Sequence, residues 1–173
     1  GSESDWGAVI TNEETNEKTG FGGEDFFPVL AIVDPELMTS VPPKFTAYQG
    51  FDALFHSVEG FISSETSLMS DMYAITAIDN IGKYLLRAVK NGKDMEAREG
   101  VAFANSLSGT VMCVGACTSE HALEHALSAY HDKLPHGAGL IMTKLPETTL
   151  SSIAMSVLVG NLFRKIGRAS CRE

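Results

Sequence analysis

At 173 residues, with 44% hydrophobic and 20% charged side chains, the chain has the composition of a soluble globular protein and the length of one domain with a piece of a second. A net charge of −9 and a pI of about 5.0, without any lysine- and arginine-rich run, argue against nucleic acid and anionic membrane surfaces as partners. The longest apolar run, residues 153–163, is interrupted by Ser156, Gly160 and Asn161 and falls short of the roughly 18–20 residues of a membrane span.

The first 34 residues read as strands and turns. WGAVIT (6–11) leans to strand, NEETNEKTG (12–20) to a polar turn, and residues 30–33 to a second strand. So few strands do not make a stable sheet. They read as the edge of a sheet whose remainder, with the chain before Gly1, is expected to be missing. From Asp34 the character changes. Asp34-Pro35-Glu36 is a helix start, with Asp as cap and Pro first. Residues 44–131 then read as helices, broken at Asn91-Gly92 and again before Ser119, a candidate cap. Met72, Ile75, Ile78, Ile81, Leu85 and Val89 step by three or four along one face. The small residues Gly100, Ala102, Ala104, Ser106, Ser108 and Gly109 suit a closely packed helix. The predicted class is mainly α: a helical bundle preceded by a short β edge.

Four of the five histidines lie in residues 117–137, CTSEHALEHALSAYHDKLPHG, and the fifth is in FDALFHSVEGF at 51–61. Asp52 and His56 are four apart, as are His121 and His125. On helices each pair shares a face. Glu59 continues the first face. Pro135 stops the second helix, His136 opens a new segment, and Gly137 permits an unusual backbone angle there. A lone D-x-x-x-H reads as well as a surface pair, and a lone PHG says little. Together they point to two motifs closing around one divalent metal. One carboxylate among imidazoles keeps Fe(II), Zn(II) and Mn(II) open. His131 is expected in solvent, and Glu120 and Glu124 on a solvated helix face. Cys113 and Cys117 lack a second pair and read as buried reduced thiols rather than zinc ligands. The odd count of three, with Cys171, fits a reducing compartment and a cytoplasmic location.

These stretches, with GSESDWGAVITNEETNEKTG and AIVDPELMTSVPPKFTAYQGFDALFHSVEGF, resemble the iron-containing, group III alcohol dehydrogenases over about residues 1–142. The resemblance implies a fold like that family's all-α C-terminal domain, also found in dehydroquinate synthase. It implies metal ligation by Asp52, His56, His121 and His136, with Fe(II) or Zn(II) as the ion. It places His125 near the metal, where it helps relay a proton. It also implies oxidation of a small alcohol, or reduction of an aldehyde, with NAD or NADP, by a full-length homo-oligomer. On this reading residues 1–34 are a β remnant of the cofactor-binding domain and residues 35–142 the all-α metal-binding domain.

Two departures go with it. A Gly-rich pyrophosphate loop is missing, since TGFGG at 19–23 lacks the strand–loop–helix context. The family pattern is expected to stop after Met142, leaving 143–173 as an off-pattern tail. IGRASCRE at 166–173 reads as translated sequencing-adapter DNA, as in a metagenomic fragment. Competing readings are a glycerol dehydrogenase or dehydroquinate synthase type of the same architecture, a metal hydrolase with Glu59 or Glu124 as base, and a non-enzymatic metal-binding module.

Overall fold

The computed structural model describes Gly1–Thr143. The expectations for the tail beyond them lie outside the described residues. An antiparallel hairpin opens the chain: β1 (Gly7–Asn12) pairs with β2 (Glu17–Gly22), Gly7 facing Gly22 and Asn12 facing Glu17. The turn takes only residues 13–16, with Asn16 at φ 55°. The polar stretch expected to be turn is therefore half strand. Residues 30–33 form no strand. The run is apolar but finds no partner for its backbone among the described residues, and Leu30 and Ile32 remain exposed.

Among the described residues five helices follow: α1 (Pro43–Ile62), α2 (Leu68–Lys90), α3 (Met95–Met112), α4 (Ser119–Tyr130) and α5 (His136–Thr143). The mainly α class and the β preface are as expected. Asp34 caps a 3-10 turn over Pro35–Ser40 by accepting from the Glu36 N–H. Ser67 and Ser70 form a reciprocal capping box on α2. Asp94 caps α3 and also accepts from Arg87 of α2, at 3.0 and 3.1 Å. That clamp fixes the α2–α3 corner.

Helices α1, α2 and α3 enclose the core, built on Ala53, Ala77, Ile81, Leu85 and Ala104. The α2 face differs from the apolar ladder in its first turns. Met72 and Ile75 are exposed, while Ala74, Ala77 and Ala88 are buried beside Ile78, Ile81 and Leu85. Small side chains bring the helices close, and a larger one on that line would hold them apart. Gly100 shows this directly: a Cβ there would run into the Tyr84 ring. Arg98, only 3% exposed, staples α3 to the segment entering α1. It donates to Gly92 O at 2.8 Å, Thr46 Oγ1 at 2.9 Å and Val41 O at 3.1 Å. Helix α5 packs against both α1 and α4, and β2 lies against α4. No helix among the described residues is long and apolar enough to cross a membrane.

Candidate metal centre

Asp52 and His56 stand one turn apart on α1, with His56 Nε2 3.3 Å from Asp52 Oδ1. From α4, His121 Nε2 comes to 3.2 Å of the same oxygen. From the first position of α5, His136 Nε2 comes to 3.5 Å. Three imidazoles on three helices thus turn the same nitrogen toward one carboxylate oxygen. The His56 and His121 rings stack, with centroids 4.0 Å apart. Gly137 makes the approach of α5 possible. Its φ is not positive; what it lacks is a Cβ, which would collide with the backbone of Tyr48 on α1. The expected unusual angle is therefore a close approach instead.

The opposite ring nitrogen explains the orientation. His121 Nδ1 is bonded to the Glu59 carboxylate, and His136 Nδ1 to the Glu124 carboxylate. His56 Nδ1 lies 3.4 Å from Cys117 Sγ. A ring that gives its Nδ1 proton to a fixed carboxylate presents the Nε2 lone pair inward, the arrangement usual behind metal-ligating histidines. Glu59 has a second duty. Its Oε1 accepts from Thr118 N at 2.8 Å, Thr118 Oγ1 at 2.9 Å and Glu120 N at 2.9 Å. A side chain of α1 therefore caps α4. The cap expected from Ser119 is not made; Ser119 is already the first helical residue.

Three other expectations change here. Glu120 and Glu124 are buried, not solvated, with Glu124 at 0% exposure. Glu124 is tolerated because Lys18 of β2 reaches it, Nζ to Oε2 at 3.1 Å. Cys117 is exposed and Cys113 half-buried, because the loop before α4 brings Cys117 to the lip of the centre. His131 is exposed, as expected. His125 sits beside the converging set, its ring centroid 6.2 Å from that of His121 and 5.6 Å from that of His136.

Charges follow the geometry. Burial works against the Asp52 carboxylate, but hydrogen bonds from His121 and His136 outweigh it and hold its pKa far below the usual range. Burial also opposes charge on His121, yet contacts with Asp52, Cys117 and Glu59 push it up to about 11. Glu59 and Glu124, both disfavoured by burial, are lowered to about 2 by their histidine partners above all. Burial, then neighbouring positive charge, lowers His56 and His125 to about 4. Without a cation, protons on His121 and His136 answer the carboxylates, and a divalent ion fits the same charge.

The donor chemistry fits such an ion: one hard carboxylate oxygen and three Nε2 atoms, each ring held from behind. Asp52, His121 and His136 offer atoms within 4.8 Å of one another, and so do His56, Cys117 and His121. A cavity of about 480 Å³ opens on Asp52 and His56 and extends past Thr46, Gln49 and Asn105.

Residues 46–155 match the Fe-containing alcohol dehydrogenase family, C-terminal. The chain belongs to the iron-containing alcohol dehydrogenase family. The match runs past Met142, where the resemblance was expected to stop. Alcohol dehydrogenase 4 of Schizosaccharomyces pombe is 38% identical over 75% of the chain and 31% of its own length. The NAD-dependent methanol dehydrogenase of Bacillus methanolicus is 38% identical over 79% and 36%. Among solved structures, an archaeal halo-thermophilic Red Sea brine pool alcohol dehydrogenase superposes with a TM-score of 0.79 at 38% identity, over 80% of this chain and 34% of that one. Sulfoacetaldehyde reductase from Bifidobacterium kashiwanohense, in complex with NAD+, gives 0.76 at 38% identity, over 82% and 37%. The chain thus spans about a third of the length of these relatives.

Proposed function

We propose that this chain is the metal-holding part of an NAD(P)-linked alcohol dehydrogenase or aldehyde reductase, with Asp52, His56, His121 and His136 as ligands of Fe(II) or Zn(II). The observation that carries the reading is the set of three Nε2 atoms 3.2–3.5 Å from Asp52 Oδ1. A divalent ion there supplies a Lewis acid for an alcohol or carbonyl oxygen. The nicotinamide, which takes or gives the hydride, has to be presented by a dinucleotide-binding portion such as longer relatives would carry.

The chain's own residues do the rest. Asp52 supplies negative charge among the imidazoles. Glu59 and Glu124 fix the tautomers of His121 and His136. His125, kept neutral at pH 7 by burial and neighbouring positive charge, holds a nitrogen ready to take or pass a proton beside the ligands. The cavity at Asp52 and His56 gives a small alcohol or aldehyde its approach. The free thiols Cys113 and Cys117 favour a reducing compartment, the cytoplasm, and we assign the full-length form a homo-oligomeric state. A hydrolase reading is disfavoured by one observation: Glu59 and Glu124, its candidate bases, are both engaged in orienting histidines.

The test joins this chain to the dinucleotide-binding portion of a relative and follows nicotinamide-linked oxidation of short primary alcohols. The isolated chain is expected to take up Fe(II) or Zn(II) and to show no turnover. Positioning accounts for roughly 7–11 kcal/mol of such a barrier. The joined protein should turn over, and His136→Ala should abolish it. Turnover by the isolated chain, or a joined protein that loads metal yet stays inert, would overturn the reading.

A further inference from the structure

Lys18 runs against the pattern of its own strand. In β2 every other residue is exposed, including Phe21 at 42%, while the Lys18 side chain is only 15% exposed. Hydrophobic burial alone would turn the phenylalanine in and the lysine out. The lysine instead crosses to α4 and α5. Its Nζ lies 3.1 Å from Glu124 Oε2, 2.9 Å from Ser128 Oγ and 3.4 Å from His136 Nδ1.

Glu124 explains the inversion. Its carboxylate is fully buried, and its Oε1 has no hydrogen-bond partner among the described residues. A buried carboxylate is costly without a cation beside it. His136 cannot serve as that cation while its Nε2 lone pair is a ligand, because a ligating imidazole is neutral. Lys18 is the lasting positive charge at Glu124, and Ser128 fixes where that charge sits.

From this geometry we infer that Lys18 is a positioning residue of the metal centre: acting through Glu124, it sets the orientation of His136 and ties the β1–β2 hairpin to the ion. The inference rests on the metal reading above. Without the ammonium, Glu124 is a buried carboxylate lacking its counter-charge. It relaxes toward water and releases His136 Nδ1. His136 then loses the restraint that aims Nε2 at Asp52, and the hairpin loses its polar tether.

The experiment measures Zn(II) affinity of the 173-residue chain by competition with a chromophoric chelator at one fixed pH. Lys18→Met should weaken binding by about 10–100-fold, the usual cost of losing an outer partner of a metal-ligating histidine. Lys18→Arg, which keeps the charge, should recover most of it. In a Glu124→Gln background, Lys18→Met should cost little more, because the two residues act as one unit. A merely structural lysine would show an equal loss in both backgrounds, and that result would overturn the inference. So would unchanged affinity in both Lys18→Met and Lys18→Gln, the second serving if the first folds poorly. A wild-type chain that binds no more Zn(II) than Asp52→Ala would overturn the metal reading and this inference together. Wild-type binding with an indifferent Lys18 overturns the inference alone.

Discussion

The Glu59 carboxylate, on α1, holds the Nδ1 of His121, on α4. Its other oxygen caps α4 through Thr118 and Glu120. One buried side chain thus sets both where a helix starts and how its first histidine faces.

Glu59→Ala should therefore cost more than a missing cap, whose loss is about 1 kcal/mol. It also leaves a buried imidazole without its carboxylate, a break that costs about 3–5 kcal/mol. Urea denaturation of the metal-free chain checks this. Glu59→Gln should fall between, since an amide keeps an acceptor for the cap but no charge for His121.

Asp52 is the point on which the three Nε2 atoms converge. Asp52→Ala should lower divalent-metal affinity by more than the 10–100-fold typical of an outer partner. Metal content after equilibration and desalting is the measurement. His131→Ala, at an exposed position, should leave it unchanged.

Acid should destabilise the metal-free chain in two stages. His56 and His125 have pKa values lowered from 6.5 to about 4, by burial first. Between those values the unfolded chain binds more protons, so stability falls as pH drops from 6.5 to 4. Glu59 and Glu124, lowered from 4.5 to about 2, continue the loss as pH falls through about 2. His121 acts in the other direction. Raised to about 11, its contribution is whole below pH 6.5 and lost as pH rises toward 11. Urea midpoints across pH should peak near 6.5.

His125 separates proton handling from metal holding. In the joined protein, His125→Phe should leave metal content intact and lower kcat by about 10²–10⁴-fold, the usual worth of a positioned acid–base group. His121→Ala should lose the metal itself. Parallel metal analysis and kinetics distinguish the two.

The candidate site is legible in the sequence where the signal is local. Asp52 with His56 and His121 with His125 are one-turn pairs, and helical periodicity alone puts each on a face. His136 opens a new helix as the sequence implies, but Pro135 does not stop the one before it: α4 already ends at Tyr130, and Pro135 instead precedes α5. Signals that depend on distant partners are not legible in the sequence. Glu124 has the pattern of a solvent-facing helical residue, and its counter-charge, Lys18, arrives from a strand 106 positions away. Nothing in EKTGFG marks its lysine as the inward residue. The apolar ladder on α2 was right from Ile78 to Leu85. It failed at Met72 and Ile75, because alanines take the inner face at the start of α2. Residues 30–33 show the opposite error: apolar character without a partner for the backbone does not make a strand.

The hairpin carries a liability of its own. Among the described residues β1 pairs only with β2, so each strand keeps an unpaired outer edge. Val9, Ile10 and Phe21 are exposed on the hairpin's faces. Lysine on an edge strand ordinarily deters strand addition, but Lys18 is directed inward. The hairpin has therefore given up its lysine to α4 and α5 and keeps only Glu17 as an exposed strand charge, and at high concentration this strand pair is where chains should begin to associate.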